Sequence, residues 1–291
     1  MSEKSPEAIL ADAERWWTTS IIDIHPGEIT IRGYPVQDLI GRTSFPQMIW
    51  LMVRGDLPTQ GQARLLEAAL VASVDHGPQA PSIAIARMAV TCGAEINNSM
   101  GSAVNVLGGV HGGAGQQCME LYAMVKARIG EGLELAKAVE AALPDYHEKH
   151  GPIVAGFGHR WHPIDPRTAP LLSLVEEAAA AGEISGEYVA IGRAVEAALT
   201  RRKGKPIPMN IDGSTAIIFA ELGFEPEMGR GLFILSRSVG ILAHALEQKK
   251  QGGRIKGPMP KNIAFTYSGP AKRRPDEDST EPKKDGGAPE G

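Results

Sequence analysis

Apolar positions along most of this chain recur at three- and four-residue spacing, the period that gathers them on one face of an α-helix. Ser5-Pro6-Glu7 supplies a capping hydroxyl, a proline suited to the first helical position and an acid near the positive pole of the dipole, and predicts a helix towards Trp17. Residues 21–31 alternate about Pro26-Gly27 with β-branched residues on both sides, which predicts a small hairpin and the chain's one sheet. From Thr59 onward, Leu65, Leu66, Ala69 and Leu70 mark a core face until Gly77 and Pro78 stop it, so His76 falls at a helix end. Small residues around 84–90 and 100–107 predict interior helices in close contact. Further helices are expected over 116–129, 131–149, 167–181, 186–202, 214–222 and 226–250, joined by short loops as in a compact bundle.

Composition sharpens this into an all-α reading. The chain is 43% hydrophobic but only 5% aromatic, and its richness in Ala, Leu and Glu favours packed helices over sheet. Its 291 residues are enough for one large domain or a large and a small one. A net charge of -4 without a basic face excludes nucleic acid as a partner, since binding a phosphate backbone rests on clustered Lys and Arg. No apolar run approaches the roughly 20 residues of a membrane span, so a soluble protein is expected. The two cysteines, Cys92 and Cys118, have no metal or redox spacing, which suits a reducing cytoplasm. Residues 271–291 contain almost nothing apolar and predict a disordered tail.

The chemistry gathers on breaks between the helices. Asp75-His76-Gly77-Pro78, Val110-His111-Gly112-Gly113, Gly156-Phe157-Gly158-His159-Arg160 and Met209-Asn210-Ile211-Asp212-Gly213 offer two carboxylates, Asp75 and Asp212, and three imidazoles in glycine-rich settings. Glycine permits tight breaks and close approach of a ligand to the main chain, and Gly108-Gly109 with Gly112-Gly113 bracket His111. Such a set can move a proton on carbon beside a carbonyl: a base takes the proton while a donor holds the enolate oxygen. Asp212 is the candidate base, and His111 the candidate donor, best kept as a neutral imidazole. His147-Glu148-Lys149-His150 lacks the spacing that places two imidazoles one helical turn apart, reads as an exposed helix end, and no metal is expected. His244 lies on an apolar helix as a core or interface histidine. No phosphate-binding glycine loop and no Gly-x-Ser-x-Gly occurs.

These segments, in this order, resemble the citrate synthase family. Its His-Gly-Gly-Ala run is similar to the segment at His111, its Gly-Phe-Gly-His-Arg loop to that at His159, and its Asn-Val-Asp to Asn210-Ile211-Asp212. Arg32-Gly33-Tyr34-Pro35 with Gly55-Asp56-Leu57-Pro58-Thr59 looks like its amino-terminal signature, and Ser236-Arg237-Ser238-Val239-Gly240 with Ala243-His244 like its late helix. The resemblance covers about residues 18–269. Asp75-His76-Gly77-Pro78, Asn210-Ile211-Asp212-Gly213 and the run from Gly240 to Lys250 look most like the citryl-CoA lyase branch and the carboxy-terminal domain of ATP-citrate lyase; synthases usually show Asp-His-Glu at the first.

The resemblance implies a two-domain helical fold, with residues 1–150 and 225–270 as a large domain and 151–224 as a small one, and a homodimer. It implies cleavage of citryl-CoA to acetyl-CoA and oxaloacetate, with coenzyme A entering as a thioester. His111 would face the thioester oxygen, His159 the oxygen of the ketone or tertiary alcohol, and His76, Arg167 and Arg237 the dicarboxylate, guanidinium matching a carboxylate through two parallel bonds. Arg160 and the cluster Arg201-Arg202-Lys203-Lys205 are candidates for the coenzyme phosphates, with a solvated helix end as the plainer reading. Two positions depart from pattern. Synthases have Arg-Pro after the late helix where this chain has Arg254-Ile255-Lys256-Gly257-Pro258, while ATP-citrate lyase domains lack an imidazole matching His111. The alternatives are a citrate or 2-methylcitrate synthase and a non-catalytic acyl-CoA-binding paralogue.

Overall fold

The computed structural model describes residues 5–159, 163–260 and 262–274. The chain divides into a unit from Met1 to Lys256, which holds every helix and strand among these residues, and a unit from Gly257 on, whose described residues carry neither. Four residues of the expected tail, 271–274, are exposed and without regular structure; the rest of it lies outside the described residues.

Helix α1 (Pro6–Trp16) starts where the sequence places it, Ser5 Oγ accepting from the Ala8 N–H. The sheet is larger than a hairpin. Strands β1 (Ile22–His25) and β2 (Glu28–Ile31) pair antiparallel, and β3 (Tyr34–Pro35) adds to β2. The second turn is Arg32-Gly33, both at positive φ, a two-residue connection that matches strand twist and that the sequence reading passes over.

Helices α2 (Val36–Leu39) and α3 (Phe45–Arg54) follow, then α4 (Gln60–Ser73), α5 (Pro81–Thr91), α6 (Ile96–Val104), α7 (Ala114–Gly130), α8 (Leu135–His150), α9 (Thr168–Ala180), α10 (Glu187–Lys203), α11 (Ile211–Glu221) and α12 (Pro226–Gln251). α11 is the central helix: Gly213, Ser214, Thr215, Ala216, Ile217, Ile218 and Phe219 are all buried, the mark of a helix enclosed on every side. Gly192 lets α10 approach it, since a Cβ there would stand 2.7 Å from the Met209 methyl and 2.8 Å from Ile217 Cδ1. Buried Tyr122 of α7 donates to the Gly213 carbonyl at 3.2 Å and ties α7 to the same turn.

Two apolar clusters result. The larger joins α3, α4, α7–α11 and the first part of α12 through Leu232; the smaller, Ala80, Ile83, Ala86, Ala103, Leu107, Ile241 and Ala245, joins α5, α6 and the middle of α12. No described helix is long and apolar enough to cross a membrane.

Candidate active site

Asp212 occupies the first turn of α11 rather than the break before it. Asn210 caps the helix, its Oδ1 accepting from the Asp212 and Gly213 N–H groups at 2.9 and 3.3 Å. The same side chain donates through Nδ2 to the Gly158 carbonyl at 2.6 Å, so one residue fastens the loop of His159 to the helix of Asp212. Backbone bonds from Gly158 to Pro208 and from Asn210 to Gly156 reinforce the contact. Glycine is required at Gly156, where φ is +86° and a Cβ would stand 2.6 Å from Cys118 Sγ and 2.9 Å from Gly213 Cα. Arg160 lies outside the described residues.

Asp165, fully buried as a side chain, links a third element to this corner. It accepts from the Ile211 N–H at 3.0 Å and holds Arg167 through Nε and Nη2, both at 2.9 Å. Burial alone would raise its pKa, but the Arg167 bonds and the Ile211 N–H outweigh it and hold the carboxyl at about 2. Arg167 also reaches the Ala72 carbonyl through Nη1 at 3.5 Å, which leaves one N–H on each terminal nitrogen for a ligand.

His111 is held from the other side. Its Nε2 lies 3.1 Å from the Ser82 N–H and 3.0 Å from Ser82 Oγ, at the second residue of α5. A backbone N–H can only donate, so Nε2 accepts and the ring proton resides on Nδ1. Burial and then the charge of Arg237 push the imidazole's pKa down. The result is a neutral ring with one N–H to offer.

Arg237 of α12 is 5% exposed, bonds the Ser73 carbonyl through Nε at 3.3 Å and lies 4.8 Å over the Phe233 ring. His76 lies three residues beyond the end of α4, exposed, its ring 6.0 Å from that of His159. Partial desolvation of the ring at the cavity wall, then the charges of Arg237, Arg167 and His159, lower its pKa against the opposing charge of Asp75.

These side chains surround a single cavity of about 230 Å³: His76, His111, His159, Arg167, Asp212 and Arg237 line it, with Ser73, Val110, Gly112, Ala114, Ile211 and Phe233. Asp212 and His111 therefore share one void. Burial raises the Asp212 pKa, partly offset by Arg167 and Arg237. The cavity unites a carboxyl whose pKa burial raises, a neutral imidazole donor and two guanidinium groups.

Other candidates fall elsewhere. Arg202 and Lys203 line a separate cavity of about 330 Å³ with Ile153, Val154, Phe157 and Ile207, and Arg201 and Arg202 both pair with Glu140. Arg254 and Lys256 are not among the residues lining the Asp212 cavity; the backbone at Ile255 and Lys256 is bonded to Thr91. The 147–150 segment is not the exposed helix end its spacing suggests: His150 turns inward to Glu120 at 2.8 Å, and His147 bonds the Gly151 carbonyl. His244, expected as a core or interface histidine, is half-buried and polar in its contacts, bonded to Asp75 and Arg87. No group of three or more His, Cys, Asp or Glu side chains arranged for a metal occurs among the described residues.

Sequence reading misses Ser82, Asp165 and the bridging role of Asn210. Signals exist for each: Pro81-Ser82 has the form of a helix start, Asp165 stands two residues before Arg167 in a turn, and Asn is a strong N-cap two residues ahead of Asp212.

The citrate synthase, C-terminal domain, family matches residues 14–64 and 58–259. Citryl-CoA lyase from Hydrogenobacter thermophilus is similar in structure, with a TM-score of 0.75 and 29% identity over 90% of this chain and 99% of that one. ATP-citrate synthase subunit 1 of Sordaria macrospora is 29% identical over 80% of this chain and 35% of its own length. A citrate synthase of Deinococcus radiodurans is 32% identical over 67% of this chain. The chain thus spans 35% and 50% of the lengths of these two curated relatives.

Proposed function

The chain belongs to the citrate synthase family, and from that premise we propose that it cleaves citryl-CoA, or a close 3-hydroxy-3-carboxyacyl-CoA, into acetyl-CoA and oxaloacetate. The observation that carries the reading is the single cavity shared by Asp212, His111 and His159, flanked by Arg167 and Arg237. In this reading the two guanidinium groups and His76 bind the carboxylates of the citryl portion. His159 takes the proton of the tertiary hydroxyl as the carbon–carbon bond breaks and the hydroxyl carbon becomes the oxaloacetate ketone. The bonding electron pair passes into an enolate whose oxygen is held by the Nδ1–H of His111. Asp212, whose pKa burial raises, then delivers a proton to the enolate carbon and completes acetyl-CoA.

The cavity suits a small polycarboxylate rather than a whole coenzyme. The nucleotide end is assigned to the neighbouring cavity of Arg202 and Lys203, because the 152–159 loop borders both. Closure of the 151–224 segment against the rest would exclude water from the enolate. A homodimer is proposed on the groove of Phe45, Pro46, Val71, Leu235 and Val239, about 430 Å³ and almost wholly apolar. A cytoplasmic setting follows the two free cysteines.

The decisive experiment incubates the protein with citryl-CoA and, separately, with acetyl-CoA plus oxaloacetate, and measures free thiol, oxaloacetate and citrate. Oxaloacetate released in the first tube by wild type but not by Asp212→Asn is the expected result; its absence from both proteins defeats the assignment. Citrate and free thiol accumulating in the second tube support a synthase instead, a reading favoured by the retained neutral imidazole at His111.

A further inference from the structure

Behind His76 stands a chain of polar groups that the proposed chemistry does not use. Asp75 Oδ2 accepts from the Gly77 N–H at 3.1 Å and from His244 Nε2 at 3.3 Å. His244 Nδ1 lies 3.3 Å from Arg87 Nη1, and Arg87 is itself fixed by Glu247 and by Gln251 at 2.7 Å. A guanidinium has no acceptor, so Nδ1 must accept and the His244 proton is committed to Nε2, aimed at Asp75. The direction of every bond in the chain is thereby set.

The surroundings leave the 74–77 turn few other restraints. The turn lies beyond the last residue of α4 and packs on α12 at Gly240, where a Cβ would overlap the Val74 carbonyl and stand 2.9 Å from Asp75 Oδ1. Oδ1 is buried with no hydrogen-bond partner among the described residues. A carboxylate already short of one partner depends heavily on those it keeps. Burial favours the neutral acid, but the Gly77 N–H, His244 and the His76 N–H together keep the Asp75 pKa below its ordinary value. His244 and Arg237 sit two turns apart on α12, so the bond also ties the turn carrying His76 to the helix carrying a cavity guanidinium.

We propose that His244, acting through Asp75, is a positioning residue for His76: the couple holds the 74–77 turn so that the His76 ring meets His159 across the cavity, and thereby sets affinity for the dicarboxylate. The inference rests on the assignment of His76 to the dicarboxylate. A bond that merely fastened α12 to α4 would, when lost, weaken folding and both substrates alike.

The test uses the full chain as wild type, His244→Ala and His244→Gln. Oxaloacetate binding is measured by calorimetry, and KM for oxaloacetate and acetyl-CoA in the condensation direction. His244→Ala is expected to weaken oxaloacetate roughly tenfold while leaving the acetyl-CoA KM unchanged. Gln restores binding, because its carbonyl accepts from Arg87 while its amide donates to Asp75. Imidazole nitrogen chemical shifts in wild type should show His244 protonated on Nε2 alone, a readout that does not depend on either variant folding. Wild type that binds oxaloacetate beside an Ala variant that binds it equally overturns the positioning role alone, as do equal losses for both substrates or a proton on Nδ1. Wild type that binds no oxaloacetate overturns this role and the dicarboxylate assignment together.

Discussion

At the scale of single residues, two carboxyl groups of the same corner have opposite linkage to pH. Asp165 has its pKa lowered from 3.8 to about 2, so its contribution is present above the unfolded value and is lost as pH falls through about 2. Near neutrality it amounts to about 2 kcal/mol, and Asp165→Asn should forfeit it, as denaturant titration at pH 7 compared with pH 3 would show. Asp212 behaves oppositely. Its pKa is raised, so its stabilising share is complete below the unfolded value and is gone once pH has risen through the folded one. Asp212→Asn should therefore raise the melting temperature at pH 7, by about 2 °C or more, while abolishing turnover. A melting point unchanged or lower would mean that the carboxylate is compensated by Arg167 and Arg237. Of the cavity's six titratable or charged side chains, His76, His111, His159 and Asp212 stand out in the sequence by residue type on glycine-rich breaks, whereas Arg167 and Arg237 are found only through the family resemblance. Ser82 and Asp165 do not stand out, because their parts are defined by a neighbour distant in sequence: His111 lies 29 residues from Ser82, and Ile211 lies 46 from Asp165.

At the scale of elements, Asn210 is both cap and bridge. Asn210→Ala should cost about 1 kcal/mol through the lost cap and leave the Gly158 carbonyl unmatched, which protease susceptibility of the 156–159 loop would register. Unchanged susceptibility would show that the backbone bonds of Gly158 and Asn210 suffice alone. Most helices were legible to within a few residues, since amphipathic spacing marks a face. α11 starts three residues earlier than expected: buried all round, it has no polar face to set its limits, and its start at Ile211 is fixed by the Asn210 cap. α3 also escapes the periodicity although Ser44 and Gln47 form a capping box and Pro46 opens the helix, and β3 at two residues is too short for an alternating pattern.

For the whole molecule, the apolar groove beside α12 bears on assembly. Val71 is 66% exposed there, and Val71→Glu should convert a dimer to a monomer in light scattering while leaving helicity intact. A wild-type monomer would remove the dimer proposal. The segregation of the interior into two apolar clusters could not be read from one-dimensional spacing, because the single helix α12 gives Leu232 to the larger cluster and Ile241 and Ala245 to the smaller. Its effect reaches function through the Asn210 clasp. His159 and Asp212 are riveted into a common frame by Gly156, Gly158 and Asn210, whereas His111 is anchored on α5. Breathing of the cavity would then alter the gap between these two jaws and not the interval inside either; in the proposed cleavage, the partners given to the hydroxyl and to the methyl carbon would keep constant registration while the grip on the thioester tightens or slackens.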